Sequence, residues 1–164
     1  MISSIAAIAE FPNLIKKVFN QTEFKKGQSL SLNYCVNGVF QKVLLDDHIP
    51  VDQSDYAKFV TSPSDCLWPI FLEKASAKVY GGYWNLGNGG APSRALKDLT
   101  GAPTDFIKTH ENSPDELFKK IISADKKNYI MVAPTHGDPK KVQTNLGMIA
   151  YHAYTVVSAH ILAG

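Results

Sequence analysis

Two cysteines and five histidines carry the nucleophilic and ligating chemistry of this chain. Cys66 lies in Ser64-Asp65-Cys66-Leu67-Trp68, just after an acid and just before an apolar run. If a helix opens there, its free N–H groups stabilise a thiolate. His152, in "YHAYTVV", lies far along the chain, and a Cys and a distant His meet in a fold as nucleophile and base. The plainer alternative stands beside this one. A histidine between apolar residues of a strand is more often a hydrogen-bonded core group than a catalyst. Cys35 falls on the polar face of a predicted strand, where an unreactive thiol is expected, because reactivity needs an electropositive setting. The residues alone leave both a Cys66–His152 pair and a plain α+β domain open.

Other chemistries fit less well. Gly87-Asn88-Gly89-Gly90 precedes a helix, which is where a phosphate binds. The run lacks the Lys-Ser/Thr ending of a P-loop, and Pro92 stands where a dinucleotide fingerprint needs its third glycine. These glycines instead suit a tight turn or the close approach of another backbone. The histidines (His48, His110, His136, His152, His160) show no HExxH spacing and there is no CxxC, so no zinc site is expected. No G-x-S-x-G elbow of an α/β-hydrolase occurs.

The elements that must position these residues are legible from pattern. Residues 2–19 carry apolar side chains at helical spacing, interrupted at Phe11-Pro12. The opening residues are apolar on all sides, as in a buried helix. Residues 29–36 alternate, with Leu30, Leu32, Tyr34 and Val36 on one face, and Asn37-Gly38 then turns into "VFQKVLL", a hairpin signal. Residues 67–79 read as an amphipathic helix with Trp68, Phe71, Leu72, Ala75 and Val79 inward, stopped by Gly81-Gly82. Residues 85–93 read as a glycine-rich loop and "RALKDL" as a short helix ended by Gly101. Ser113-Pro114-Asp115-Glu116 is a capping box that opens a helix to about 124. Residues 128–135 and 148–162 read as strands. Helices early and strands late make an α+β chain.

Composition sets the frame. The 164 residues are 45% hydrophobic and 20% charged with a net charge of +2, which favours neither a nucleic-acid nor a membrane surface. Two cysteines make no disulfide framework, so a reducing, cytoplasmic setting is expected. "MISSIAAIAEF" is too short to span a membrane and lacks a basic n-region.

Several stretches together resemble the protease core of the calpain family. Trp68…Leu72-Glu73-Lys74-Ala75…Ala77-Lys78, Gly82-Tyr83, Gly89-Gly90 and Asp98-Leu99-Thr100-Gly101 match a W-x-x-L-L-E-K-A-x-A-K helix, a G-x-Y, a Gly-Gly loop and a D-[FL]-T-G end. "VLLDDHIP" (43–50) resembles the family's V-V-V-D-D-x-[IL]-P strand, and "HAYTV" (152–156) resembles the H-A-Y-[ST]-V around its catalytic histidine. The matches come in family order over nearly the whole chain.

The resemblance implies a papain-like cysteine protease core of two subdomains. Residues 1–104 would be part of the helical, Cys-side subdomain and 105–164 part of the β-rich, His-side one. His152 takes the role of general base for a thiolate. Gly89 and Gly90 match the loop that pairs with extended substrate backbone, and Tyr151 stands beside the cleft where the family usually has Gly. The family's nucleophile precedes the segment that "MISSIAAIAEF" matches, so it falls before Met1, and the orienting Asn falls past Gly164. The chain therefore reads as a piece truncated at both ends and inactive alone, with the remainder of its own core and a polypeptide substrate as partners. The alternative is a catalytically dead module that binds a protein partner in a larger assembly. Calcium belongs to the full-length parent; no cofactor or metal ligand set is visible in this chain, Asp65 matching the family's acidic position only loosely. On this match Cys66 is not the nucleophile: it stands at the start of the W-x-x-L-L-E-K-A helix.

Overall fold

The computed structural model describes residues 1–62, 66–136 and 147–162. It is mixed helix and strand, and it divides into two compact units, Met1–Thr104 and Asp105–Gly164.

The first unit opens with α1 (Ile2–Ala9) and α2 (Pro12–Val18). The break follows from Pro12, which denies Phe11 a helical backbone (φ −120°, ψ 79°) and then occupies the first turn of α2. The expectation that α1 is buried all round needs correction. Ser4, Ile5, Ala7 and Ile8 are buried, whereas Ile2, Ala6 and Ala9 form an exposed stripe at spacings of four and three. The buried Ser4 hydroxyl is satisfied by donating to the Pro92 carbonyl at 3.2 Å.

β1 (Leu30–Val36) and β2 (Val39–Leu45) form an antiparallel hairpin with Val36 opposite Val39. Asn37 and Gly38 both take positive φ (52° and 83°), as a two-residue primed turn requires. Leu30, Leu32 and Tyr34 are buried, as the alternation demands. Cys35 departs from expectation: it is 3% exposed rather than on a wet face. The cause is a second covering layer. Tyr34 reaches α3 (Trp68–Val79), while Cys35 lies beneath Gly101, the cap of α5 (Pro92–Thr100). A strand covered on both faces loses its polar side.

α3 is the centre of this unit. It buries Ile70, Phe71, Leu72, Ala75 and Ala77, and also Glu73 and Ser76; Trp68 and Val79, expected inward, are only half-buried at its ends. The Tyr34 hydroxyl lies 2.5 Å from Ser76 Oγ and 3.2 Å from the Leu72 carbonyl, so strand and helix share a buried polar knot. α3 ends in a Schellman motif: Gly82 N–H donates to the Ala77 carbonyl at 2.6 Å and Gly81, at φ 85°, to that of Lys78 at 3.4 Å. The segment expected as a loop over 85–93 is partly helical, because α4 (Tyr83–Gly87) starts directly after Gly82.

The second unit holds α6 (Pro114–Lys126) and an antiparallel pair, β3 (Met131–Pro134) and β4 (Ala153–Val156). The capping box is complete: Ser113 Oγ accepts from Glu116 N–H and the Glu116 carboxylate accepts from Ser113 N–H. Both strands are shorter than the apolar runs that announced them. Among the described residues of this unit only Ala150 is fully buried, so the runs are not long core strands.

Candidate active site

Gly89 and Gly90 lie between α4 and α5, beside the start of α1. The cleft they border is about 380 Å³ and is also lined by Met1, Val79, Tyr80, Leu86 and Arg94. Gly89 takes φ 83°, which only glycine adopts without strain. A Cβ built on either glycine meets nothing of the protein within 4 Å. Internal packing thus does not exclude a side chain here, and the Cα of each glycine faces open space; the Gly89 N–H itself donates to the Leu86 carbonyl at 3.3 Å. The cleft wall is fixed by Tyr80, whose hydroxyl donates to Asp98. Burial, then that carboxylate, hold the phenol well above its usual range. Arg94 sits 5.1 Å over the Tyr80 ring and 3.8 Å from Asp98.

Glu73 and Lys74 are fasteners on α3. The Glu73 carboxylate, 6% exposed, accepts the Val60 N–H at 3.0 Å. Burial raises its pKa, and the Val60 hydrogen bond offsets part of that. Lys74 Nζ binds the Asp46 carboxylate at 2.6 Å and the His48 carbonyl at 2.5 Å, tying α3 to the end of β2. That ammonium, and the His48 N–H, hold the exposed Asp46 carboxyl well below the usual range. The two motif pieces "EKA" and "DDHIP" are thus one structural joint.

Cys66 stands two residues before Trp68, the first residue of α3. Val79 and Tyr80, at the other end of that helix, line the glycine cleft. Twelve helical residues span about 18 Å, so Cys66 stands at the far end of α3 from Gly89 and Gly90. Cys35 is buried in β1. The Ser64 and Asp65 neighbours of Cys66 lie outside the described residues.

His152 stands directly before β4, exposed, not within a buried strand as its apolar neighbours suggested. Its carbonyl accepts from Thr135 N–H at 2.7 Å and its own N–H donates to Thr135 Oγ1 at 3.0 Å. Its ring meets Tyr154 edge-on, centroids 4.9 Å apart. Tyr151 is 68% exposed and takes φ 52°, the left-handed region that favours glycine. The positions Thr135 and Tyr154 were not singled out from sequence; Thr135 is 17 residues from His152 and carries no local signal.

Calcium needs six to eight oxygens drawn together. Among the described residues no three acidic, His or Cys side chains converge on one point. The nearest acidic run is already engaged, Asp46 by Lys74, Asp47 by Gly27 N–H at 2.7 Å and Asp52 by Ser54 N–H at 2.8 Å. The described residues therefore do not fit a calcium cage. No helix among them is long and apolar enough to cross a membrane.

Comparison with known proteins bears directly on this arrangement. Residues 1–163 match the family model described as calpain family cysteine protease. Calpain clp-1 of Caenorhabditis elegans is 29% identical over 129 residues, 77% of this chain and 16% of that protein. The calpain-type cysteine protease ADL1 of Oryza sativa is 25% identical over 170 residues, 99% of this chain and 8% of its own length. Mouse calpain-12 is 25% identical over 163 residues, 98% of this chain and 22% of the relative. The chain spans less than a quarter of each of these relatives. Matched along almost its whole length, the chain belongs to the calpain family of cysteine proteases.

Proposed function

We propose that this chain is the central part of a calpain-type cysteine endopeptidase core, with His152 as general base and Gly89 and Gly90 as the track for substrate backbone. The observation that carries it is the glycine cleft. The helix that follows the nucleophile in the family's motif begins in the same cleft as the Gly-Gly turn. A thiolate placed at that helix N-terminus gains from the helix dipole. An extended peptide laid over Gly89 and Gly90 forms strand-like hydrogen bonds that a side chain would block.

The thiols of the 164 residues do not fill the nucleophile's place, since Cys35 is buried and Cys66 lies at the wrong end of α3. The chain by itself is therefore expected to be silent. Incubation with an unstructured protein substrate, with and without calcium, tests this by gel. No cleavage is expected; cleavage blocked by an epoxide thiol inhibitor would overturn the assignment of the cysteines.

A second reading, a catalytically silent calpain-like module that binds a protein partner, is favoured by Tyr151. A bulky, exposed tyrosine at φ 52° occupies the backbone position next to the base. Peptide binding without turnover by the longer protein that carries this chain distinguishes it.

A further inference from the structure

The β3–β4 ladder continues one pair past its last regular partners, Pro134 and Ala153. Hydrogen-bonded and non-hydrogen-bonded pairs alternate along an antiparallel ladder, so Pro134 opposite Ala153 sits where no N–H is needed and Thr135 opposite His152 is the next pair placed to exchange two hydrogen bonds. Thr135 N–H donates to the His152 carbonyl at 2.7 Å, as a ladder requires. The return bond is different: His152 N–H goes to the Thr135 hydroxyl at 3.0 Å. That hydroxyl donates in turn to the Ile149 carbonyl at 2.6 Å. The Ile149 N–H donates to the Tyr154 hydroxyl at 2.8 Å, and the Tyr154 ring meets the His152 ring edge-on at 4.9 Å. Thr135 and Tyr154 thus hold residue 149 from both its polar groups and hold residue 152 by backbone and ring.

We propose that Thr135 and Tyr154 are positioning residues for His152, a two-point clamp that fixes the direction of its imidazole. The proposal rests on His152 serving as the base. A histidine on an exposed turn samples several rotamers unless its backbone and ring are both held, and a base must present its nitrogen within hydrogen-bond reach of the proton it takes. The Thr135 methyl and hydroxyl divide the work: valine keeps the shape and loses both hydroxyl bonds, serine keeps the bonds.

The test is NMR on the full 164-residue chain, reading the ring-to-ring cross-peak of His152 with Tyr154 and the amide exchange of His152 and Ile149. Thr135→Val is expected to abolish the cross-peak and to quicken His152 amide exchange roughly fivefold. Thr135→Ser is expected to restore both, with the α6 signals unchanged throughout. Should Thr135→Val unfold the hairpin, Tyr154→Phe carries the test: Ile149 exchange must quicken while the ring contact persists. A Thr135→Val chain that keeps cross-peak and slow exchange, a Thr135→Ser chain that loses them, or a Tyr154→Phe chain with unchanged Ile149 exchange contradicts the clamp. Loss of His152 as the base in a cleavage assay leaves these signals untouched, so the two claims fail separately.

Discussion

At the scale of single residues, positive φ marks where side chains were chosen against backbone preference. Gly101, at φ 70°, caps α5 and covers Cys35. A Cβ there meets the Phe40 ring at 2.6 Å, but that ring is exposed and can swing aside. Gly101→Ala is therefore expected to cost about 1 kcal/mol, the left-handed penalty rather than a clash, read from urea unfolding. Tyr151 shares that backbone region. Tyr151→Gly should be tolerated to within about 0.5 kcal/mol, the relieved strain offsetting glycine's extra entropy loss; Tyr151→Val should destabilise by more than about 1 kcal/mol, because β-branching is poorly accommodated at positive φ. Hydrogen exchange at Ala153–Val156 measures both. Glu73 sets a pH signature. Its folded pKa is raised by burial, so its ionised form is disfavoured in the fold. Its contribution is complete below the unfolded value of about 4.3 and is lost as pH rises through the folded value. Asp46 and Asp47 act in the opposite sense, lowered by Lys74 and by Gly27 N–H; their contribution is present above the carboxylate range and lost as pH falls through their folded values. Glu73→Gln keeps an oxygen for Val60 N–H and should remove the fall in Tm as pH rises above about 4.3, while the acid-side loss survives. An unchanged profile would show that Glu73 does not carry it.

At the scale of elements, the parts announced by local chemistry appear where the residues put them. Asn37-Gly38 turns the hairpin, Gly81-Gly82 ends α3, and Ser113 with Glu116 opens α6. Each is decided within six residues, so a single sequence suffices. Ser113→Ala is expected to cost on the order of 1 kcal/mol and to fray the first turn of α6 in circular dichroism and amide exchange; no change would mean the cap is idle. Features decided by distant partners were not legible. Cys35 is buried by Gly101, 66 positions away in sequence, and Glu73, Lys74 and Thr135 take their meaning from Val60, Asp46 and His152. Gly89, Gly90 and His152 were named as site candidates through family motifs alone, and Tyr151 as a departure from them, because no periodicity or local spacing singles these residues out.

At the scale of the molecule, the two units differ in how much they bury. Tyr34, Leu32, Leu72 and Ile8 are fully enclosed in the first, whereas Ala150 is the one fully buried residue described in the second. Little buried apolar surface means low local stability. Native-state hydrogen exchange should therefore show α6 and the β3–β4 pair opening well before β1 and α3; equal protection in both units would contradict this. The central claim concerns chemistry, and peptide hydrolysis by the complete calpain-type core of which we propose these 164 residues are the central part tests it most directly. His152→Ala is predicted to lower kcat/KM at least about 100-fold, the scale of a lost general base, while Cys66→Ala leaves it within about twofold. Full activity in His152→Ala, or its loss in a folded Cys66→Ala protein, would contradict the account.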